Sequence, residues 1–104
     1  MQKKVYNFGA IIPARKGSKR VKNKNTFLIN QKPLIAYTID EALKTKKIDI
    51  IVISSNDNKI LSLKKKYKNI IFIKRPEHLC KDNSTTESAM LHALENLKKK
   101  GVII

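Results

Sequence analysis

The residues with the most chemistry lie close together: Pro13-Ala14-Arg15-Lys16-Gly17-Ser18-Lys19-Arg20-Val21-Lys22-Asn23-Lys24-Asn25 sets a glycine and a serine hydroxyl among arginines and lysines. Guanidinium forks, ammonium groups and the backbone N–H groups of a glycine turn are what a polyphosphate needs. The segment lacks the second glycine and the Gly-Lys-Ser/Thr ending of a P-loop, and it is not a dinucleotide turn of the G-x-G-x-x-G kind. Phosphate would therefore be held by side-chain cations together with the N–H groups around Gly17-Ser18. A solvated basic loop with no ligand is the competing reading, and the residues alone leave both open. Of the 23 basic residues only Arg15, Arg20 and Arg75 are arginines. All fall in segments that follow candidate strands, where a planar bidentate fork offers what lysine cannot. Ser84, Thr85 and Thr86 open a candidate helix, whose free N–H groups and hydroxyls suit an anion or a base edge as well as plain capping.

Other reactive side chains offer less. His92 falls within a helical pattern and reads as a partly buried histidine, while His78 has no Ser, Cys or Asp at triad-like spacing. Cys80 stands alone, so no internal disulfide and no zinc ligand set can be built on it. The six aromatics, Tyr6, Phe8, Phe27, Tyr37, Tyr67 and Phe72, mostly sit beside core positions and are not interleaved with the cations as a base-stacking platform requires.

The elements that must position these residues follow from hydrophobic spacing. Residues 7–13 read as a short buried strand stopped by Pro13. From Pro33 the period becomes helical, with Ile35, Ile39, Ala42 and Leu43 on one face, which predicts a helix over 33–46. Ile50-Ile51-Val52-Ile53 is a β-branched strand run. Asp57 then caps a helix carrying Ile60, Leu63, Lys64 and Tyr67. Ile70 to Ile73 repeat the strand signal. Ser84-x-x-Glu87 has the form of a capping box ahead of Met90, Leu94 and Leu97, with Gly101 ending that helix and Val102-Ile103-Ile104 starting another strand. Strands alternating with helices predict an α/β fold with a parallel sheet covered on its faces. In such sheets ligands sit beyond the carboxyl ends of the strands, which selects segments 13–25, 54–57 and 74–86. A chain that stops two or three residues into a strand is expected to be a fragment whose sheet is unfinished.

The 104 residues suffice for one core, and a chain of this size buries roughly two-thirds of its unfolded surface. The formal charge of +15 invites a nucleic-acid reading, yet Lys, Asn and Ile dominate the composition, as AT-rich codons would produce. Distribution carries more information: residues 1–39 contain nine basic side chains and no acid, Asp40 being the first. Lys64-Lys65-Lys66 and Lys98-Lys99-Lys100 suit solvated helix ends. No apolar run approaches the roughly 20 residues that span a bilayer, and no signal-like segment follows Met1, so a cytoplasmic chain without membrane or nucleic-acid partners is expected.

Taken together, Ile11-Ile12-Pro13-Ala14-Arg15-x-Gly17-Ser18-Lys19-Arg20-Val21-x-x-Lys24-Asn25 closely resembles the opening motif of the CMP-sialic acid synthetases, or acylneuraminate cytidylyltransferases. Pro33-Leu34-Ile35-Ala36-Tyr37-Thr38-Ile39, Val52-Ile53-Ser54-Ser55-Asn56-Asp57, and Arg75-Pro76-Glu77 through Lys81-Asp82-Asn83-Ser84-Thr85-Thr86 follow in the order and spacing of that family. The resemblance implies a three-layer, Rossmann-like nucleotidyltransferase fold with a mostly parallel sheet. It implies an enzyme that transfers CMP from CTP to the anomeric hydroxyl of a nine-carbon acidic sugar, N-acetylneuraminate or a related nonulosonate, releasing pyrophosphate with Mg²⁺. It further implies that Arg15, Ser18 and Lys24 line the triphosphate, Arg15 and Lys24 acting on the reacting phosphates. Asn25 would contact phosphate or ribose, and Arg75, Ser84 and Thr86 would hold the cytidine end. Gln31 stands where the family usually has Gly, Asn56 where Asp is common and Lys16 where Gly is common. Family members run to about twice this length, so residues 1–104 are expected to be the nucleotide-binding half. Metal ligands, sugar contacts and a homodimer arm would then lie elsewhere. A basic nucleic-acid module and an inactive remnant are the alternatives.

Overall fold

The computed structural model describes residues 4–6, 8–16, 26, 28–81 and 84–104, with Lys4 and Val5 as backbone only. In chain order the elements are β1 (Lys4–Val5), β2 (Gly9–Pro13), β3 (Leu28–Ile29), β4 (Lys32–Pro33), α1 (Leu34–Lys44), β5 (Ile50–Ser55), α2 (Asn58–Leu61), β6 (Ile71–Lys74), α3 (Thr86–Lys99) and β7 (Val102–Ile103). Short 3₁₀ turns at Ser62–Lys65 and Glu77–Leu79 follow α2 and β6.

The expected parallel α/β architecture is present. β2, β5 and β6 form a parallel sheet with β5 in the middle, in a register that sets Ile11 beside Val52 and Ile53 beside Phe72. Every residue of β5 is buried, as a strand covered on both faces must be. Its side chains alternate between two cores. Ile51 and Ile53 join Ile35, Ile39, Ile60 and Ile70 on the face covered by α1 and α2. Ile50 and Val52 join Ile73, Ala93 and Leu97 on the face covered by α3. In a separate two-stranded sheet β1 pairs in parallel with β7, and Tyr6 donates its N–H to the Ile103 carbonyl at 2.8 Å.

Several expectations shift. α1 buries Ile35, Ala36 and Ile39, but Leu43, placed on the apolar face by spacing, is half exposed at the helix end. Phe8, expected beside the core, is exposed, and its carbonyl accepts the Asp49 N–H at 2.8 Å. The helix after Asp57 is only one turn long. Asp57 caps it as expected, accepting the Lys59 N–H at 2.9 Å, and Ser62 then donates its hydroxyl to the Lys59 carbonyl as the chain tightens into a 3₁₀ turn. Helix α3 is capped by Thr85, whose Oγ1 accepts the Ser88 N–H at 3.0 Å, and not by Ser84. Gly101, at φ 81°, ends it as read from the sequence.

A hairpin that spacing did not predict joins β3 to antiparallel β4. Its central residues Asn30 and Gln31 both have positive φ, 51° and 64°, the signature of a type I′ turn. Gly is the favoured residue at the second position, so Gln31 is strained where the resembling family has Gly. The hairpin is fastened to α1 by Tyr37, which donates its hydroxyl to the Ile29 carbonyl at 2.7 Å, and by an ion pair between Lys32 and Asp40.

Candidate functional site

Parallel pairing carries the carboxyl ends of β2, β5 and β6 to one edge, and backbone bonds continue past the strands there. Ala14 N–H donates to the Ser54 carbonyl and Arg75 N–H to the Ser55 carbonyl, each at 2.8 Å. The Ser55 hydroxyl donates to the Ala14 carbonyl and accepts the Asp57 N–H at 3.0 Å. Two serines can therefore lie fully buried at the end of an apolar strand, because the Ser55 hydroxyl meets the backbone of adjoining segments and the Ser54 hydroxyl meets the Arg75 side chain.

Two of the arginines selected from the sequence converge on this edge. Arg75 is 4% exposed and clamps Ser54, its Nε donating to the hydroxyl and its Nη2 to the carbonyl, both at 3.0 Å. Arg15 crosses from the first segment to the third, donating from Nη1 to the Cys80 carbonyl at 3.2 Å. Burial holds the Arg75 pKa below its ordinary value, and the nearby Arg15 charge pushes the same way. Among the described residues the guanidinium of Arg75 meets only neutral acceptors, so its charge is not cancelled by a carboxylate. Cys80 is no nucleophile here: its thiol bonds the Pro76 carbonyl at 3.3 Å, and burial raises its pKa.

Ser84 closes the loop that carries Cys80, donating to the His78 carbonyl at 3.3 Å and accepting the Lys81 N–H at 3.1 Å. Thr86 is the exposed first residue of α3. Ser18, Lys24 and Asn25 lie outside the described residues. Ser54, Ser55, Asn56 and Glu77 lie in the segments selected from the sequence but were not named as site residues; for the first three, the polar run directly after Ile50–Ile53 was the available signal. Asn56 accepts the Lys16 N–H at 2.6 Å and donates to the Glu77 carboxylate at 3.0 Å.

This arrangement suits binding and orienting an anion, through guanidinium charge and fixed hydroxyls. The Mg²⁺ that the resemblance implies finds no fitting donor set among the described residues. Among the described residues no group of three or more His, Cys, Asp and Glu could hold a metal ion. Asp57 caps α2 and Glu77 is bonded to Asn56. No helix of the described residues is long and apolar enough to cross a membrane.

Comparison with known proteins bears on the family and the fold. A family profile described as cytidylyltransferase matches residues 9–104. The N-acylneuraminate cytidylyltransferase of Escherichia coli O18:K1:H7 is 36% identical over 85 residues, covering 82% of this chain and 20% of that protein. The pseudaminic acid cytidylyltransferase of Campylobacter jejuni serotype O:23/36 is 40% identical over 93 residues, covering 89% of this chain and 40% of its relative. The CMP-N,N'-diacetyllegionaminic acid synthase of Campylobacter jejuni serotype O:2 is 43% identical over 83 residues, 80% of this chain and 35% of that enzyme. In these alignments the chain spans between a fifth and two fifths of the relatives' length. The fold is similar to that of a CMP:2-keto-3-deoxy-manno-octonic acid synthetase solved with CTP, with a TM-score of 0.67 over 89% of this chain and 36% of the other, at 21% identity.

Proposed function

Since this chain belongs to the cytidylyltransferase family, we propose that its strand-end site binds CTP as the nucleotide-binding half of an enzyme that transfers CMP to the anomeric hydroxyl of a nine-carbon acidic sugar. In that reaction the sugar hydroxyl forms a bond to the α-phosphorus while the bond to pyrophosphate breaks. The protein's part is mainly positioning and neutralisation of charge on the phosphoryl oxygens. The observation that carries the reading is Arg75: a buried guanidinium held by neutral acceptors, with Arg15 beside it, keeps positive potential where a nucleotide would lie.

Arg15, Ser18 and Lys24 are assigned to the triphosphate and Asn25 to phosphate or ribose. Arg75, Ser84 and Thr86 are assigned to the cytidine end, Arg75 from a position fixed by Ser54. The sugar is a nonulosonate, in keeping with relatives named for acylneuraminate, pseudaminic and legionaminic acids. Mg²⁺ and a homodimer are assigned to the complete enzyme, in the cytoplasm where CTP is available.

Calorimetric titration of the chain with CTP, UTP and ATP in the presence of Mg²⁺, at about 0.15 M ionic strength where exposed charges are screened, tests the proposal. Preference for CTP is expected. Equal binding of all three nucleotides that collapses with added salt would replace it with a diffuse polyanion-binding surface, and no binding with self-association would mark an inactive remnant.

A further inference from the structure

The bonds around Asn56 are of a different kind from those beneath it. Ser54, Ser55 and Arg75 join neighbouring strand ends through buried contacts, and Arg15 spans directly to Cys80. Asn56 lies farther out, half-buried between the segment that follows β2 and the 3₁₀ turn that follows β6. Its two amide atoms face opposite requirements. The Lys16 N–H can only donate and the Glu77 carboxylate can only accept, so oxygen must face Lys16 and nitrogen must face Glu77. Asp at this position would satisfy Lys16 and set a second carboxylate against Glu77 at hydrogen-bonding distance. Lys16 is also the last residue before the run that carries Ser18, Lys24 and Asn25.

We propose that Asn56 is a positioning residue, a strap coupled to Glu77 that fixes where the basic segment leaves the sheet relative to the turn after Arg75. Its consequence for nucleotide affinity rests on the CTP reading above; the strap itself does not. Residues 56 and 77 then act as a matched pair: an amide with a carboxylate works, and so does a carboxylate with an amide, but two carboxylates do not.

The test uses the whole chain and the variants N56A, N56D, E77Q and N56D/E77Q, followed by hydrogen exchange of the Lys16 amide, thermal melts and CTP titration. N56A should speed Lys16 exchange several-fold. N56D should leave that exchange near the parent's and weaken CTP binding roughly fivefold at neutral pH, the size of a like-charge contact at a partly exposed site. Adding E77Q should restore it. Unchanged Lys16 exchange in N56A, or an N56D defect that E77Q does not relieve, would overturn the strap. If the parent shows no preference for CTP, the functional reading falls, while Lys16 exchange and the coupling of positions 56 and 77 in the melts still decide for or against the strap.

Discussion

Arg75 and Lys32 are two cations held in opposite ways. Arg75 lies buried at the carboxyl end of the sheet, fixed by the hydroxyl and carbonyl of Ser54 and facing no carboxylate among the described residues. Lys32, on β4, is partly exposed and paired with Asp40. Asp40 also accepts the Tyr67 hydroxyl at 3.0 Å, and the Lys32 ammonium lies 4.4 Å from the Tyr37 ring centroid. A cation matched with an anion projects little field and serves to fasten the hairpin to α1. A cation matched with neutral dipoles keeps its field, and desolvating it is costly unless a ligand repays the loss. The difference separates a structural pair from the group proposed to bind nucleotide on electrostatic grounds alone.

Arg75→Lys should break the comparison most strongly. Lysine cannot reproduce the fork on Ser54, and the loss of charged hydrogen bonds at a buried site is expected to cost about 2 kcal/mol of stability. CTP affinity should fall tenfold or more, whereas Lys98→Ala, which removes an exposed cation on α3, should leave it unchanged; equal losses in calorimetry would mean that only total charge matters.

A smaller effect belongs to the hairpin. Gln31→Gly relieves a side chain at φ 64° and should raise unfolding stability by about 1 kcal/mol, with no change in nucleotide affinity. A destabilised variant in denaturant melts would show that the turn is not strained.

Smallest should be Asp40→Asn, because the Lys32 pair is a partly exposed one. The hydrogen bond from Lys32 pulls the Asp40 pKa below 3.8, and the bond to Asp40 raises that of Lys32 above 10.5. A lowered carboxylate pKa gives stability that is present above 3.8 and lost as pH falls through the folded value. A raised lysine pKa gives stability that is present below 10.5 and lost as pH rises through the folded value. Tyr67, raised above 10.0 by burial and then by Asp40, likewise favours the fold below that pH. Melting midpoints of wild type and Asp40→Asn should therefore differ at neutral pH and converge in strong acid; a constant gap across the acid range would assign the effect to packing.

What could be read from the chain follows the same division between apolar spacing and polar partners. Ile50-Ile51-Val52-Ile53 announced the central strand because β-branched apolar runs have few other places to go. The strand continues through Ser54 and Ser55, where no hydrophobic signal exists, because the Arg75 side chain and the backbones of Ala14 and Asp57 supply polar partners. The hairpin was silent in the sequence because Asn30-Gln31 lacks the glycine that marks such turns. The Ser84-x-x-Glu87 spacing pointed to Ser84 as the cap; Ser84 closing the loop back to His78 and Lys81 left the helix end to Thr85.

The sequence by itself determined the alternation of strands and helices, the concentration of cations at one end, and Arg15 and Arg75 as the unusual groups among lysines. Apolar period and residue chemistry are local properties, and they survive without the fold. Only the tertiary structure decided that Arg75 clamps Ser54, that Arg15 reaches Cys80, and that Asn56 joins Lys16 to Glu77. Those bonds link residues 21 to 65 positions apart, and a hydrogen bond within about 3 Å depends on how the parallel sheet brings distant strand ends together.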